Sequence, residues 1–341
     1  MLARLKVDPF VLALLVVVAA AVAWPTPGET GGPLHAEKVA SYGIGLIFLL
    51  YGISLSPEQM WRSMGKWREH LLVQAATFLL FPAIVFAVQP LTGHVFQQDV
   101  LTGLFFLAAL PSTVSSSVAM TSLARGNVPL AIFNASISSF IGVFATPVLL
   151  AWYLHATGAS LPLSTVILKL VLLVLLPIAV GQFLRPLAGP WVARHKVVVR
   201  VADRAVILAI VYNSFCDSVA GGVWSSQDIW TLPILAGAVI GLFLCVYGIL
   251  DGICRLVGLK VEDRIAVLFC GSKKSLATGL PMAGIIFGTG PATALIIAPV
   301  MMFHFFQLLI VSFIAASYAR RPEEGIPAPQ EALPERKEAA E

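Results

Sequence analysis

Residues Cys270 to Pro281 read CGSKKSLATGLP and lie inside an otherwise apolar run of about 263–287. Two adjacent lysines, Lys273 and Lys274, sit there with Gly271, Gly279 and Pro281 around them. On a soluble surface a basic pair says little. Within a membrane span, ionisable residues and helix-weakening glycines are costly, and they persist where backbone or charge faces a polar cavity.

The rest of the chain supports placing that run in a bilayer. Of its 341 residues 58% are hydrophobic and 12% charged, with a mean hydropathy of +0.89. A soluble domain carries about 25% charged residues. The net charge of +4 comes from basic residues dispersed in loops with no aromatic-interleaved patch, so the expected partner is the lipid bilayer and no nucleic acid. Cys216, Cys245, Cys254 and Cys270 fall in or at the ends of apolar segments, without CxxC spacing, and read as small hydrophobes.

Apolar runs of roughly 20 residues, enough to cross about 30 Å of hydrocarbon, can be placed ten times. They fall at about 9–24, 38–55, 69–89, 100–124, 128–153, 164–185, 203–220, 229–254, 263–287 and 291–318, with Pro and Gly at most joints. The fourth and ninth are internally broken. With a cytoplasmic N-terminus, 18 of the 22 Lys and Arg residues, among them Arg62, Lys66, Arg125, Arg194 and Lys260, fall on the cytoplasmic side. Both termini are therefore expected in the cytoplasm. Arg4 and Lys6 before an apolar run ending Ala21-Val22-Ala23 also resemble a secretory signal, but a retained helix is expected.

The two halves match at an offset of about 161 residues. Tyr51-Gly52-Ile53-Ser54 falls on Tyr212-Asn213-Ser214, and Gly126-Asn127-Val128-Pro129 on Gly288-Thr289-Gly290-Pro291. The broken fourth span falls on the broken ninth. Five spans per repeat is an odd number, so the halves are expected to be inverted, as in secondary transporters whose site lies where broken helices meet. The expected division is a first repeat at 1–160, a second at 161–319 and a disordered cytoplasmic tail at 320–341.

The first break is PSTVSSS, Pro111 to Ser117. Pro111 removes a backbone donor, and Ser112, Thr113, Ser115, Ser116 and Ser117 supply hydroxyls that satisfy freed backbone groups or bind a solute. The second half-helix is expected to start near Ser115 or Ser116 as N-cap, with its free amides favouring an anion. In the second break, Ser272, Lys273, Lys274, Ser275 and Thr278 lie between two half-helices. The carbonyl end of the first half suits a lysine ammonium, and the amide end of the second is another anion site. Adjacent helical residues diverge by about 100°, so at most one lysine faces the cavity squarely.

Asn134 and Ser136, with Ser138 and Ser139, lie near one face of the fifth span and can line the same cavity or bond between helices. Asn213 and Asp217 are candidates for its outer wall. Gln74, His304 and Gln307 read as single satisfied core groups, and Lys169 as snorkelling. The acidic residues near the spans, such as Asp217, Asp251 and Asp263, fall towards span ends. No catalytic constellation, metal-ligand motif or Walker motif appears, so the chain does not read as an enzyme, no cofactor is expected, with a bound sodium ion as the alternative, and transport would be gradient-driven.

The segments FLAALPSTVSSSVAMTSLARGNVPLAIFNASISSFIGVFATP, Phe106 to Pro147, and FCGSKKSLATGLPMA, Phe269 to Ala283, resemble the bile acid:sodium symporter superfamily. Within it they are similar to the SBF-like branch, which holds the seventh animal cotransporter of that group. The resemblance covers nearly the whole chain. It implies an all-α fold with a panel domain (spans 1, 2, 6 and 7), a core domain (spans 3–5 and 8–10) in which broken helices 4 and 9 cross, and alternating access between them. Sodium-coupled members place Ser-Asn in the first break, a Glu and a Gln in the second, and a Ser and a Thr on the fifth span as sodium ligands. Here Ser117 matches, but Val118, Phe269, Lys273, Ala131 and Ala135 stand at the other positions. A lysine is therefore expected to replace the sodium ion, as a fixed cation or as a proton carrier.

The resulting expectation is a bacterial inner-membrane secondary transporter (symporter-like) of an organic anion, such as a bile-acid-like or other amphipathic carboxylate or sulfonate. Cation/proton exchange on the same scaffold, or a transporter-like regulator, are the alternatives.

Overall fold

The computed structural model describes residues 9–54, 65–158, 168, 171–222, 230–288 and 292–321. Among them there is no strand. A sequence so apolar leaves its backbone no water to bond, and the helix satisfies every interior amide within its own segment.

The helices in chain order are α1 (Pro9–Ala23), α2 (Ala36–Ser54), α3 (Trp67–Thr92), α4 (Gln98–Ala109), α5 (Ser115–Leu123) and α6 (Val128–Ala156). They continue with α7 (Leu172–Arg194), α8 (Lys196–Ala220), α9 (Thr231–Leu256), α10 (Val261–Gly271), α11 (Leu276–Phe287) and α12 (Thr293–Ala319). Six of these, α2, α3, α6, α7, α9 and α12, are long and apolar enough to cross a membrane, and α1 and α4 contain shorter apolar helices. Leu71, Val148, Phe183 and Phe313 are exposed on the outer faces of their helices, as lipid-facing side chains are.

Both expected breaks are present, between α4 and α5 and between α10 and α11. Two other boundaries move. The sixth apolar run, expected at 164–185, corresponds to a helix that continues to Arg194, and the seventh helix begins at Lys196 rather than near residue 203. Arginine and lysine end an apolar run without ending a helix, because their stems stay in the bilayer while their heads reach water. Lys169 and the tail from 322 lie outside the described residues.

The helices pack in two groups. In one, α2 lies between α7 and α8, and α1 covers α8. Crossing there is close because a side chain at Gly52 would strike the carbonyl of Ile178, and one at Gly181 the carbonyl of Leu49. Small residues let helix backbones approach where no hydrophobic force separates lipid from protein. Gln182 Nε2 donates to Gly52 O at 2.6 Å across the same crossing. Arg204 lies 5.0 Å from the ring of Phe10, tying α8 to α1.

In the other group α3, α4, α5, α6, α9, α10, α11 and α12 pack on one another, with α12 against both α4 and α9. The two groups meet mainly where α8 touches α11 and α12, with a smaller contact between α2 and α11. Lys66 Nζ donates to Asp263 Oδ1 at 2.6 Å, and Asn127 Nδ2 to the same oxygen at 2.7 Å. These bonds fasten the starts of α3, α6 and α10 together.

Candidate functional site

At the first break Pro111 cannot continue the α4 ladder, so the last carbonyls of α4 need other donors. Each is found. Ala108 O and Leu110 O accept from Lys274 Nζ at 2.6 and 2.8 Å, Ala109 O from Thr146 Oγ1 at 2.8 Å, and Pro111 O from Ser275 N at 2.8 Å. Ser112 N, which would have bonded Ala108 O in a continuous helix, donates to Ser138 Oγ at 2.9 Å.

The third proton of Lys274 goes to Thr77 O at 2.7 Å. That carbonyl is available because residues Ala76–Leu80 of α3 form a π-turn, in which Phe81 N bonds back to Ala76 O and bypasses Thr77 O. The ammonium also lies 4.2 Å from the centre of the Phe81 ring. An ammonium has three donors, and all three of Lys274 end on backbone carbonyls. The expectation that the carbonyl end of α10 would hold the ammonium is therefore corrected: Lys274 caps the end of α4, the opposite broken helix. Crossing of the breaks brings that end closer to the side chain than its own helix is.

The exchange is reciprocal. Ser112 Oγ donates to Cys270 O at 2.5 Å and Ser117 Oγ to Phe269 O at 2.8 Å, so hydroxyls of the first break satisfy carbonyls at the end of α10. Ser272 Oγ turns back to Leu268 O at 2.6 Å. Gln307 of α12 pairs with the unwound residue itself, accepting from Lys274 N at 2.9 Å and donating to Lys274 O at 2.8 Å. The crossing is tight, since a side chain at Gly279 would meet Leu110.

The two amide ends differ. Ser275 caps α11, its Oγ accepting from Thr278 N at 3.1 Å, and the turn is buried. The start of α5 is helical from Ser115 and has no side-chain cap; Val114 precedes it at 40% exposure and Ser115 is exposed. The expected N-cap at Ser115 or Ser116 is thus absent, because the helix already includes Ser115 and the cap position falls on Val114, which has no hydroxyl; Thr113 Oγ1 is hydrogen-bonded to Ser116 Oγ and Ser117 Oγ, at 2.8 Å each. Lys273, fully buried, donates to Ser116 Oγ at 2.8 Å. The two lysines, though adjacent, point to different partners.

Of the residues singled out in the sequence, Ser112, Thr113, Ser116, Ser117, Ser272, Lys273, Lys274, Ser275 and Thr278 converge on the crossing, and Ser115 stands at its open edge. Asn134 does not join them. Its Nδ2 donates to Leu130 O, its Oδ1 lies 3.1 Å from His70 Nδ1, and Gln74 Nε2 donates to its carbonyl at 3.3 Å, so it bonds α6 to α3. Ser136 is half-buried, and among the described residues no hydrogen bond joins it to the breaks. Ser138, two residues on, is the member of α6 that reaches the site. Asn213 and Asp217 make no hydrogen bond to it: Asn213 lines a cleft with Gly284 and Gly288 at the far end of α11 and its Nδ2 donates to Gly28 O at 2.9 Å, and Thr30 N and Oγ1 both donate to Asp217 at 2.7 Å. Thr77 and Phe81 carried no signal in the sequence. Gln307 did carry one, as a lone amide in an apolar helix.

The chain resembles known proteins along nearly its whole length. The SBF-like CPA transporter family matches residues 8–320. An uncharacterized Pseudomonas aeruginosa protein, PA2026, is 41% identical over 329 residues, covering 96% of this chain and 98% of that protein. The Escherichia coli protein YfeH, provisionally named a symporter, is 35% identical over 325 residues, covering 93% and 94%. The sodium/bile acid cotransporter 7 of Mus musculus is 31% identical over 319 residues, covering 92% and 93%. With broken helices, an apolar body and full-length relatives in accord, the chain belongs to the SBF-like CPA transporter family, membrane transporters of the bile acid:sodium symporter group.

Proposed function

We propose that the protein is a secondary active transporter of an organic anion that binds where the uncapped start of α5 meets the Lys273 ammonium. The observation that carries this reading is the division of labour between the lysines. Lys274 is saturated by three carbonyls, whereas Lys273 has one hydroxyl partner, Ser116, beside a helix start whose amides are uncapped. Two positive features meet there, and an anion is the ligand that relieves both. A carboxylate or sulfonate on an amphipathic body, bile-acid-like in its broad chemistry, suits a polar cradle inside an apolar bundle.

The chemistry of the residues argues against a sodium ion at the crossing. Ser117 spends its hydrogen on Phe269 O, and the flanking positions are Val118, Ala131, Ala135 and Phe269, none with a side-chain oxygen. A hard cation of this kind takes oxygen ligands, and the lysines already supply positive charge. The reading therefore excludes sodium as the coupling ion and requires no other cofactor.

In this reading residues 1–160 and 161–319 are two inverted five-helix repeats with a cytoplasmic tail at 320–341. The ten spans form a panel (α1, α2, α7, α8) and a core. Both termini lie in the cytoplasm of a bacterial inner membrane, as the distribution of Lys and Arg supports. Alternating access then follows from the panel sliding over the core. Contact of α8 and α2 with α11 closes the outer side, and the exposed start of α5 opens inwards. The role is carriage and not catalysis.

The test is uptake of radiolabelled taurocholate and simpler sulfonates and carboxylates into proteoliposomes under imposed sodium or proton gradients. Substrates are chosen first by the thermal stabilisation they give the purified protein. Uptake of at least one anion without sodium stimulation is expected. Binding without exchange would identify a regulator instead, and stimulation by sodium would overturn the coupling.

A further inference from the structure

The stretch from Phe183 to Arg204, FLRPLAGPWVARHKVVVRVADR, joins α7 to α8 and takes no part in the crossing of the breaks. Its course follows from what its two flanks touch. Gly181 packs against α2 between Leu49 and Ile53, and Gln182 Nε2 donates to Gly52 O. On α8, Val206 packs against Gly43, while Ile210 and Asn213 share a cleft with Ala40 and Ile44. Helix α8 therefore runs antiparallel to α2. Lys196, ten residues before Val206, comes level with the part of α2 ten residues after Gly43, near Ile53.

Gly181 and Lys196 thus lie at nearly one level along α2, although they are fifteen positions apart in the chain. At 1.5 Å per residue, about 20 Å of helix has to be fitted between them without net descent. The last turns of α7 consequently run across the end of α2 instead of along its axis. Pro186 and Pro190, both inside the helix, stand where it has to bend. In a chain that spans a bilayer, a helical stretch lying across the end of a spanning helix lies near the membrane surface.

The side chains suit that place. Phe183, Leu187, Trp191 and Arg194 are spaced four, four and three residues apart and share one face of α7. The first three are 84%, 81% and 51% exposed, and Arg194 is exposed as well. This face passes from hydrocarbon side chains through a tryptophan to an arginine, the order met between acyl chains and headgroups. The Trp191 ring stacks on that of His195, 4.6 Å away. In the first two turns of α8, Val197 and Val201 are exposed on one face, with exposed Arg200 next to them.

Charge completes the surface. From Phe183 to Arg204 there are five Lys and Arg residues and one acidic residue, Asp203. In the other helix group the basic residues at helix ends face carboxylates, Lys66 that of Asp263, Arg264 that of Asp251 and Arg321 that of Glu262. Arg194 and Arg200 have neither an ion pair nor a side-chain hydrogen bond among the described residues.

We propose that this elbow between α7 and α8 is a binding site for anionic phospholipid. The phosphodiester headgroups take charge-assisted hydrogen bonds from Arg194 and Arg200, and the acyl chains cover Phe183, Leu187, Val197 and Val201. A free phosphate would leave the apolar face bare, and a neutral lipid would leave the guanidiniums without counter-charge. The occupant therefore has both parts. The site rests on the membrane placement of the chain and not on the transport reading.

The experiment is tryptophan quenching in the purified full-length protein, reconstituted in phosphatidylcholine vesicles. Either chain-brominated phosphatidylglycerol or chain-brominated phosphatidylcholine is added at the same fraction, and the contribution of Trp191 is the difference between native protein and Trp191→Phe. Stronger quenching of Trp191 by the brominated phosphatidylglycerol is expected. Its preference over phosphatidylcholine should fall roughly fivefold for each arginine replaced in Arg194→Gln and Arg200→Gln. It should persist in Arg194→Lys with Arg200→Lys and shrink as salt is raised. The salt dependence in native protein keeps the test open if the glutamine variants do not fold. Equal quenching by the two lipids at low salt, or a preference unchanged in the glutamine variants, would overturn the proposal. So would a Trp191 that neither lipid quenches, the result expected if a second copy of the chain covers the elbow. If the preference behaves as expected while no anion is taken up, the lipid site stands and the transport reading fails.

Discussion

The starts of α5 and α11 are counterparts at the two breaks, and they are built differently. Helix α11 begins in a buried turn whose serine, Ser275, accepts from Thr278 N, and the preceding residue is held on both backbone groups by Gln307. Helix α5 begins without a side-chain cap beside exposed Ser115, with Lys273 behind it. One helix start is finished by its own residues and the other is left for something else to finish. Sequence alone offered both as anion sites. The difference teaches that a helix N-terminus is a candidate site only where the fold leaves its amides and a counter-charge available.

The two lysines express the same contrast, and replacing them separately is the most direct way to break it. Lys274→Met leaves Thr77 O, Ala108 O and Leu110 O without donors. Hydrogen bonds to charged groups are worth about 1.5–3 kcal/mol each, so a loss of at least about 3 kcal/mol is expected, read as failure to recover monodisperse protein or as a large fall in melting temperature. In Lys273→Met the fold is expected to survive, because one hydroxyl contact is lost. The thermal stabilisation by an anionic ligand should fall, with binding weakened about tenfold or more, as loss of one charge-assisted bond requires. If Lys273→Met unfolds the protein and Lys274→Met merely weakens the ligand, the roles are reversed.

Smaller changes sharpen the comparison. Gln307→Leu removes both clamps on the Lys274 backbone and is expected to cost about 1–3 kcal/mol, seen as a lower midpoint in thermal unfolding. Ser275→Ala removes a working cap, costing about 1 kcal/mol, whereas Ser115→Ala should leave stability unchanged. Equal effects of these two serines on the melting temperature would mean that the starts of α5 and α11 are equivalent after all.

Much of the fold was legible. Apolar runs, Pro and Gly at the joints, and the serine-rich and lysine-bearing interruptions located both breaks to within a residue or two, because proline and unsatisfied backbone leave local marks. The ends of α7 and the start of α8 were not legible, since arginine and lysine stop a hydropathy signal without stopping a helix. Helical spacing left Asn134 either to line the cavity or to bond between helices, and its side-chain amide is taken up by His70 of α3 and by Leu130 O, while Gln74 of α3 donates to its backbone carbonyl. Ser138, on the same face, reaches Ser112 instead. Face periodicity says which residues share a side of a helix and not which neighbour that side meets.

The sequence by itself determined that this chain is a polytopic helical membrane protein, where its helices break, and that two ammonium groups lie in the second break. These follow from composition and local backbone chemistry, which act over a few residues. Tertiary structure alone decided which lysine is structural. Lys274 finds its acceptors 197, 166 and 164 positions away in the chain, and one of them is free only because α3 makes a π-turn there. Hydrogen bonds of that span depend on how the broken helices cross, and the geometry of the crossing is a property of the packed bundle and not of any one segment.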